Sequence, residues 1–282
     1  MAVSATDVKK LREITGAGPL ECKKALEETN GDFTSAEKRL KEKGLAAVEK
    51  RADRATNEGK IFVKMQGSTA ALAEVTAETD FVARNPEFAA LGERIVTLIL
   101  EKKYTEIQSD LTSLVADLAT KIGENMTLKR IQLIEASPGE YLAHYTHGDG
   151  NIGVAVKLAA DKPEVFQQTA IQEFAHNLAL HIAAFNPLAV DASQLAPSFI
   201  KEQEEIFRKQ MEADESLKGK PANALENILK GKMKKYLADI CLMDQGYVKD
   251  DKLTVAQALA EYGKKAGATL KVSGCVYFKV GQ

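Results

Sequence analysis

Residues 59–75 read GKIFVKMQGSTAALAEV, and this stretch decides the fold that the sequence predicts. Two short runs of apolar and β-branched residues flank the turn signal Gly67-Ser68, a pattern typical of a β-hairpin. A helix is predicted next, beginning at Pro86 and marked by apolar residues at helical spacing: Phe88, Leu91, Ile95 and Leu98. The stretch therefore predicts a hairpin followed by a helix.

The same order of elements returns later in the chain. Residues 139–142 (GEYL) lead through Gly148-Asp149-Gly150 to residues 152–156 (IGVAV), and a helix follows with Ile171, Phe174, Leu178 and Ile182. An internal repeat of hairpin plus helix predicts an α+β core with two subdomains. We expect these subdomains to span residues 56–138 and 139–282.

The residues before this core predict three short helices. Val8, Leu11 and Ile14 fall at helical spacing after a capping box that begins at Ser4. Pro19 suits the first turn of a second helix. The three helices are expected at about 5–15, 19–26 and 33–43, the last ending before Gly44. Residues 45–59 predict a helical or extended connector, so we place a three-helix domain with its connector at residues 1–55.

Two long charged helices are predicted within the second subdomain, at about 198–217 and 222–242. Their apolar residues would form the narrow seam of an antiparallel coiled-coil hairpin, inserted at about 198–242: Ile200, Ile206, Phe207, Leu225, Ile228, Leu229 and Tyr236. A structural projection and a second contact surface are equally favoured roles for it. After it we expect a helix over 253–262 and a closing pair of strands at 270–272 and 276–278.

Composition limits the classes of partner. The chain has 282 residues with 38 Lys and Arg against 40 Asp and Glu, and its net charge of -2 offers no global field for a polyanion or an anionic membrane. We therefore expect no direct nucleic-acid or membrane partner. Cys22, Cys241 and Cys275 fit neither a disulfide framework nor a C-x-x-C site, and no secretory signal or membrane span is evident. These features predict a reducing, cytoplasmic location.

Several motifs for cofactors and catalysis are excluded by their context. Residues 148–153 (GDGNIG) match G-x-G-x-x-G, but a dinucleotide site needs a helix after the motif, whereas a strand is predicted here. A hairpin turn is the better interpretation. The histidines are at 144, 147, 176 and 181, without metal-ligand spacing. We expect no nucleotide, cofactor or metal site and no catalytic residues.

Thr79-Asp80-Phe81-Val82 lies between the strand that ends near Val75 and the helix that Asn85 caps. It is a short turn that contains an aromatic residue. The residues alone favour a capping role for Asp80 and a core position for Phe81, unless a partner is indicated independently.

Such an indication comes from segments that occur in a recognisable order. They are residues 11–18 (LREITGAG), 22–26 (CKKAL), 78–83 (ETDFVA) and 122–125 (IGEN), with His147-Gly148. Together they resemble the bacterial elongation factor Ts family, the guanine-nucleotide exchange factors for elongation factor Tu. The resemblance covers nearly the whole chain. It implies a ubiquitin-associated-like three-helix domain, a two-part α+β core and a protruding helical hairpin.

The resemblance also implies a function and its residues. It implies a translation factor that binds elongation factor Tu and promotes GDP release, and not an enzyme. Thr79, Asp80, Phe81 and Val82 would insert beside the nucleotide of the partner and displace its Mg²⁺. Secondary contacts are implied for Arg12, Leu20, His147 and Gly148, the first two with the nucleotide domain of the partner.

Two departures from the family pattern change these expectations. Ala77 stands where the family often has a cysteine, which affects local packing. Many members continue into a further C-terminal helix that contacts the partner, so we expect that contact to be absent in a chain ending at Gln282. A homodimer and a heterotetramer with the partner stay open. The rival functions are a protein-binding adaptor acting through the three-helix domain and, more weakly, an enzyme that uses residues 148–153.

Overall fold

The computed structural model describes residues 3–282, apart from the side chain of Leu45. The described chain forms two compact units, each with helices and strands. The first contains the chain up to Glu135 together with Thr146–Gly153 and Phe278–Gln282, and the second contains Ala136–Tyr145 and Val154–Tyr277. The predicted α+β class is confirmed.

The first unit begins with three helices, α1 (Ala5–Thr15), α2 (Pro19–Glu28) and α3 (Phe33–Glu49). Ser4 and Asp32 cap α1 and α3 by accepting hydrogen bonds from backbone N–H groups of the first turn. The helices enclose a small core of Leu11, Cys22, Ala25, Leu26, Ala36 and Leu40. Burial of these side chains from three separate helices is what holds the bundle together.

The predicted end of the third helix at about Lys43 is wrong, because α3 continues through Gly44 to Glu49. A Cβ at Gly44 would lie only 2.1 Å from Cγ2 of Thr120, so the glycine allows close packing of α3 against a later helix. Ile14 also differs from expectation. Its spacing indicated the core, but its side chain is exposed.

The sheet of the first unit has the order β1-β2-β3, with β1 (Glu58–Gln66), β2 (Thr69–Ala77) and β3 (Met126–Glu135) antiparallel. Three helices lie between β2 and β3 in the chain: α4 (Asp80–Ala83), α5 (Pro86–Lys102) and α6 (Ser109–Ile122). One face of β2, with Ala71, Ala73 and Val75, joins the core that α5 and α6 cover. Every residue of β2 is buried, as expected for a central strand covered on both faces.

The hairpin and α5 were predicted, whereas α6 and β3 were not. Leu111, Leu114, Val115 and Leu118 carry the spacing of an amphipathic helix. The signal for α6 was thus present in the sequence.

The repeat is observed as β4 (Glu140–His147), β5 (Ile152–Ala160) and α7 (Thr169–Phe185). Most of their residues belong to the second unit, whereas Thr146–Gly153 belongs to the first. The last strand, β8 (Leu270–Lys279), gives the sheet order β4-β5-β8. The predicted closing pair of strands is wrong, because the chain runs straight through Ser273-Gly274. Ser273 hydrogen-bonds to Glu140 from within this strand.

Two long helices, α8 (Pro197–Ala213) and α9 (Ala222–Ile240), occupy the region of the predicted hairpin. Phe207 contacts Tyr236 edge to face, and Arg208 pairs with Glu226 across the two helices. Ile206, which was expected in the seam, is exposed. The apolar contact between the helices is therefore narrower than predicted.

A small sheet of β6 (Gly246–Tyr247) and β7 (Asp250–Thr254) precedes α10 (Val255–Ala266). The helix predicted from residue 253 thus begins at Val255, because Thr254 and Gln257 form a capping box. Leu253 belongs to β7. Among the residues described, none of the helices is both long and apolar enough to cross a membrane.

Candidate functional site

The Thr79–Val82 segment forms a one-turn helix between the central strand and α5. Thr79 is the N-cap of α4, and its Oγ1 accepts a hydrogen bond of 3.4 Å from the N–H of Val82. Asn85 caps α5 through the N–H of Glu87, as predicted. The chain therefore reverses within a few residues, and α4 lies at the turn.

The two faces of α4 differ sharply in exposure. Val82 and Ala83 are each only 5% exposed and belong to the core of the first unit. Phe81 points away from it and is 83% exposed. The core position that residue patterns favoured for Phe81 is wrong, because Val82 and Ala83 are the residues of this turn that enter the core. The exposed ring therefore adds nothing to core packing and is available for contact with a partner.

Asp80 lies beside Phe81 on the first turn of α4. Thr79, and not Asp80, supplies the capping oxygen. The Asp80 carboxylate is partly exposed and pairs with Arg84, with 3.1 Å between Oδ2 and Nη2. An ion pair this exposed contributes little stability and can exchange for another partner.

Four residues brace the base of α4, and we call Glu78, Thr79, Glu124 and Asn125 the brace. Thr79 Oγ1 donates to the Glu124 carboxylate at 2.9 Å, and Thr79 N–H donates to it at 3.2 Å. In return, the Asn125 N–H donates to Glu78 Oε1 at 2.6 Å. Each of the two chain segments thus supplies a carboxylate to the backbone of the other.

Arg54 completes this arrangement from the segment that follows α3. Its Nη1 lies 3.3 Å from Glu78 Oε1, and its carbonyl accepts a 2.8 Å hydrogen bond from the buried Asn125 side chain. The Asn125 N–H and then the charge of Arg54 hold the pKa of Glu78 below its usual value. Glu78 is therefore ionised and bonded at neutral pH.

The turn that joins β4 to β5, residues 147–151, also belongs to the first unit. Gly148 and Gly150 have φ of 62° and 91°, values that favour glycine in a tight turn. A strand follows, so the hairpin interpretation of G-x-G-x-x-G is confirmed. His147 and Gly148 are exposed at this turn.

This turn is attached to β1. The Ile61 N–H donates to the Gly150 carbonyl at 2.7 Å, and Lys60 Nζ lies 2.7 Å from Asp149 Oδ2. The hydrogen bond from Lys60, then its charge and that of Arg84, lower the pKa of Asp149. Arg84 thus acts electrostatically on both the Thr79–Val82 segment and the His147 turn.

The three-helix part of the unit presents apolar side chains to solvent. Leu20 is 82% exposed at the start of α2, Ile14 is 61% exposed near the end of α1, and Arg12 is exposed. The family resemblance had implied Arg12 and Leu20, but not Ile14. The exposure of Ile14 depends on how α1 packs against the other helices, and helical spacing alone does not predict that packing.

His181 has a packing role inside the second unit. His181 is buried, with Nε2 3.0 Å from Gln245 Oε1 and Nδ1 accepting from the Val248 N–H at 3.2 Å. Burial lowers the pKa of His181, so it is neutral. Within residues 3–282 no group of three His, Cys, Asp or Glu side chains could hold a metal ion.

Three residues of the brace, Glu78, Glu124 and Asn125, were missed as functional candidates by sequence reasoning. Glu124 and Asn125 were noted only as part of the IGEN segment, 45 and 47 residues from their partners Thr79 and Glu78 in the chain. A polar pair directly after the helix-ending Gly123 was the available signal.

Comparison with known proteins identifies the family. A family model described as Elongation factor TS matches residues 78–282. The chain is 49% identical to the elongation factor Ts of Treponema denticola over 281 residues, covering 100% of this chain and 99% of the relative. It is 43% identical to that of Treponema pallidum (strain Nichols) over 292 residues and 38% identical to that of Borrelia hermsii over 282 residues. Both alignments cover all of this chain and at least 99% of the relative. With a family model matching most of its length and relatives aligned from end to end, the chain belongs to the elongation factor Ts family.

Proposed function

We propose that this protein binds elongation factor Tu and promotes the release of GDP from it by inserting the Thr79–Val82 segment beside the nucleotide. One observation carries the proposal: Phe81 is 83% exposed on a turn whose next two residues are buried. A protein that held Phe81 for its own stability would bury the ring. The activity is that of an exchange factor, which accelerates nucleotide release through non-covalent binding and makes no covalent change.

Phe81 supplies apolar surface that is buried only in the complex. Full burial of a phenylalanine side chain contributes up to about 3 kcal/mol. Because the ring is already exposed and its turn is anchored through Val82 and Ala83, the free protein gains nothing from it. The free energy is therefore available for holding the partner in the conformation with a disturbed nucleotide site.

Asp80 supplies a negative charge beside the ring. A GTPase holds its nucleotide with backbone amides, a lysine and Mg²⁺, so displacement of the metal weakens nucleotide binding. A carboxylate brought near that cation site alters its electrostatics and hydrogen bonds. In the free protein Asp80 pairs with Arg84, and this exposed pair opens at small cost.

Reciprocity sets the size of the effect. If the exchange factor weakens GDP binding by a given factor, bound GDP weakens the binding of the exchange factor by the same factor. A ~10⁴-fold coupling needs about 5.5 kcal/mol of differential binding. Phe81 alone does not reach this figure, so further contacts must contribute.

We assign those contacts to the three-helix region, with Arg12 and Leu20, and to His147 and Gly148. The exposure of Leu20 and the attachment of the His147 turn to β1 support this assignment. We also infer that α1–α3 are ubiquitin-associated-like and that α8 and α9 form a coiled-coil hairpin, with subdomains at 1–55, 56–138 and 139–282. Phe207 against Tyr236 supports the hairpin.

The alternative is an adaptor that binds through the three-helix region, with α4 serving only structure. The exposed Ile14 and Leu20 favour some docking there. The two functions differ in the effect of Leu20→Ala and of changes at α4. If the protein is an adaptor, Leu20→Ala should weaken its binding to the partner, and substitutions in α4 should leave that binding unchanged.

The test follows release of a fluorescent GDP analogue from elongation factor Tu after excess GDP is added. Catalytic amounts of this protein should accelerate release, and the rate should saturate as its concentration rises. Added GDP should weaken the complex of the two proteins by the same factor. An unchanged release rate would show that the proposed function is wrong.

A further inference from the structure

The Thr79–Val82 segment is too short to hold its own orientation. A single helical turn is unstable in isolation, since nucleation fixes several dihedral angles for one hydrogen bond. The conformation of α4 must therefore be imposed from outside. Buried Val82 and Ala83 fix one side of it.

The other constraint is the brace. Thr79 Oγ1 lies 2.9 Å and 3.1 Å from the two Glu124 carboxylate oxygens, and Thr79 N–H donates to the same group at 3.2 Å. Thr79 Oγ1 also accepts from Val82 N–H. The Glu124 carboxylate thus orients the hydroxyl that caps the turn, and it does so with charge-assisted hydrogen bonds.

Asn125 ties the brace to the chain that leads out of α3. Its side chain is 4% exposed and donates to the carbonyls of Ala52 and Arg54 at 3.3 Å and 2.8 Å. Arg54 in turn contacts Glu78. Three separate stretches of the first unit therefore meet directly beneath α4.

We propose that Glu124 is a positioning residue for nucleotide exchange, which fixes the direction of Phe81 through Thr79, with Asn125 and Glu78 holding the base of the turn. This inference rests on the proposed function. Glu124 lies at the base of α4 and bonds the residue that caps it, so its effect is on the orientation of the segment. A misdirected Phe81 ring loses catalysed release even when the two proteins still bind each other.

The experiment measures GDP release as a function of the concentration of this protein, and it separates the plateau rate from the half-saturating concentration. Glu124→Ala should lower the plateau about tenfold, a change equivalent to about 1.4 kcal/mol, and leave the half-saturating concentration within about twofold. Glu124→Gln keeps an oxygen that accepts from Thr79 and should lose about threefold, less than half of the alanine effect on a logarithmic scale. This order would indicate that the hydrogen bond matters.

A loss of folded protein would give a different result. It would raise the half-saturating concentration and leave the plateau unchanged, because the folded fraction still saturates the partner. Asp110→Ala is the matched control, since Asp110 also tethers one end of α6, through Lys102 at 2.6 Å. It should keep the wild-type plateau. Melting temperatures of all variants report their folding.

Two failures are distinguishable. If wild-type protein does not accelerate release, the proposed function fails. If wild-type protein accelerates release and Glu124→Ala reaches the same plateau, or if Glu124→Ala changes only the half-saturating concentration, the positioning role is wrong. Faster amide hydrogen exchange at Val82 in Glu124→Ala would accompany the expected loss.

Discussion

Neighbouring residues of α4 have different roles in the proposed exchange activity. Phe81 and Val82 are adjacent apolar residues, yet one is 83% exposed and the other 5%. In the proposed mechanism the first supplies binding free energy, and the second anchors the turn that carries it. Asp80 adds a negative charge, which forms an exposed ion pair with Arg84 in the free protein.

The role assigned to Asp80 predicts a dependence on the metal. Asp80→Asn should slow catalysed GDP release several-fold when Mg²⁺ is present, because the carboxylate acts on the cation site. When the metal is removed with EDTA, the variant should match wild type. A deficit of the same size in EDTA would show that Asp80 acts by some other contact.

Glu140 in the second unit predicts a dependence of stability on pH. A hydrogen bond from the Ser273 side chain, then the Ser137 N–H and Lys157, lower the pKa of Glu140 from 4.5 to about 2. The folded state thus favours the ionised form. Its contribution is fully present above pH 4.5 and is lost as the pH falls toward 2.

Glu140→Gln should therefore lower the melting temperature at pH 7 and make less difference as the pH approaches 3. Thermal unfolding over this range checks the prediction. Glu173→Gln, which neutralises an exposed glutamate on α7, is the control and should change the melting temperature little at either pH. An equal deficit for Glu140→Gln at every pH would contradict the ionic explanation.

At the residue scale, the sequence predicted which residues lie at helix starts and turns better than it predicted where their side chains point. Asn85 and Thr254 are recognisable as polar residues before helices, and Asn85 was predicted as a cap. The direction of Phe81 was not predictable from the pattern, because it depends on which residues of a short turn the core accepts. Glu124 was not recognised as a functional candidate for a similar reason, since its partner Thr79 is 45 residues away in the chain.

At the scale of elements, helix packing in the first unit depends on glycines that permit close approach. Gly92 of α5 lies against Phe62 of β1, where a Cβ would be 2.2 Å from ring atoms. Gly44 of α3 has the same relation to Thr120 of α6. A glycine whose contact partner is distant in the chain looks like a helix end in the sequence, which is why α3 was predicted too short.

Gly92→Ala should therefore destabilise the protein by about 2 kcal/mol, since the added methyl group must displace a buried ring. Gly231 of α9 has no atom within 4 Å of its built Cβ, and Gly231→Ala should stabilise by up to about 1 kcal/mol through helix propensity. Calorimetric unfolding of both variants gives the comparison. Equal effects of the two substitutions would contradict the packing explanation.

The prediction of elements was most accurate where periodicity was local. The β1–β2 hairpin, α5, β4, β5 and α7 all follow from runs and spacing within a few residues. β8 was not predicted as one strand, because Ser273-Gly274 has the composition of a turn. Its pairing with another strand is what shows that the chain continues through it. Pairing across the chain decides such positions, and a local pattern does not contain it.

At the scale of the whole molecule, all the residues proposed to touch the partner belong to one compact unit. Thr79–Val82, Arg12, Leu20 and the His147 turn lie in the first unit, which takes Thr146–Gly153 from the later part of the chain. Limits at residues 56 and 139 divide the chain into continuous stretches. They therefore do not show that a later segment of the chain packs in the first unit. The proposed subdomain limits therefore describe the order of helices and strands along the chain. The compact unit describes which residues pack together.

The central claim is that the exposed ring of Phe81 drives GDP release from elongation factor Tu. The most direct test compares the plateau release rates of Phe81→Ala and Phe185→Ala. Phe185 is also exposed, at 49%, but it lies in the second unit and stacks on His181.

Phe81→Ala should reduce the catalysed plateau by up to about a hundredfold, from a loss of up to about 3 kcal/mol of burial. Phe185→Ala should retain the wild-type plateau, which would show that loss of an exposed phenyl ring is not in itself damaging. If Phe81→Ala released GDP as fast as wild type at saturation, the proposed role of the Thr79–Val82 segment would be wrong.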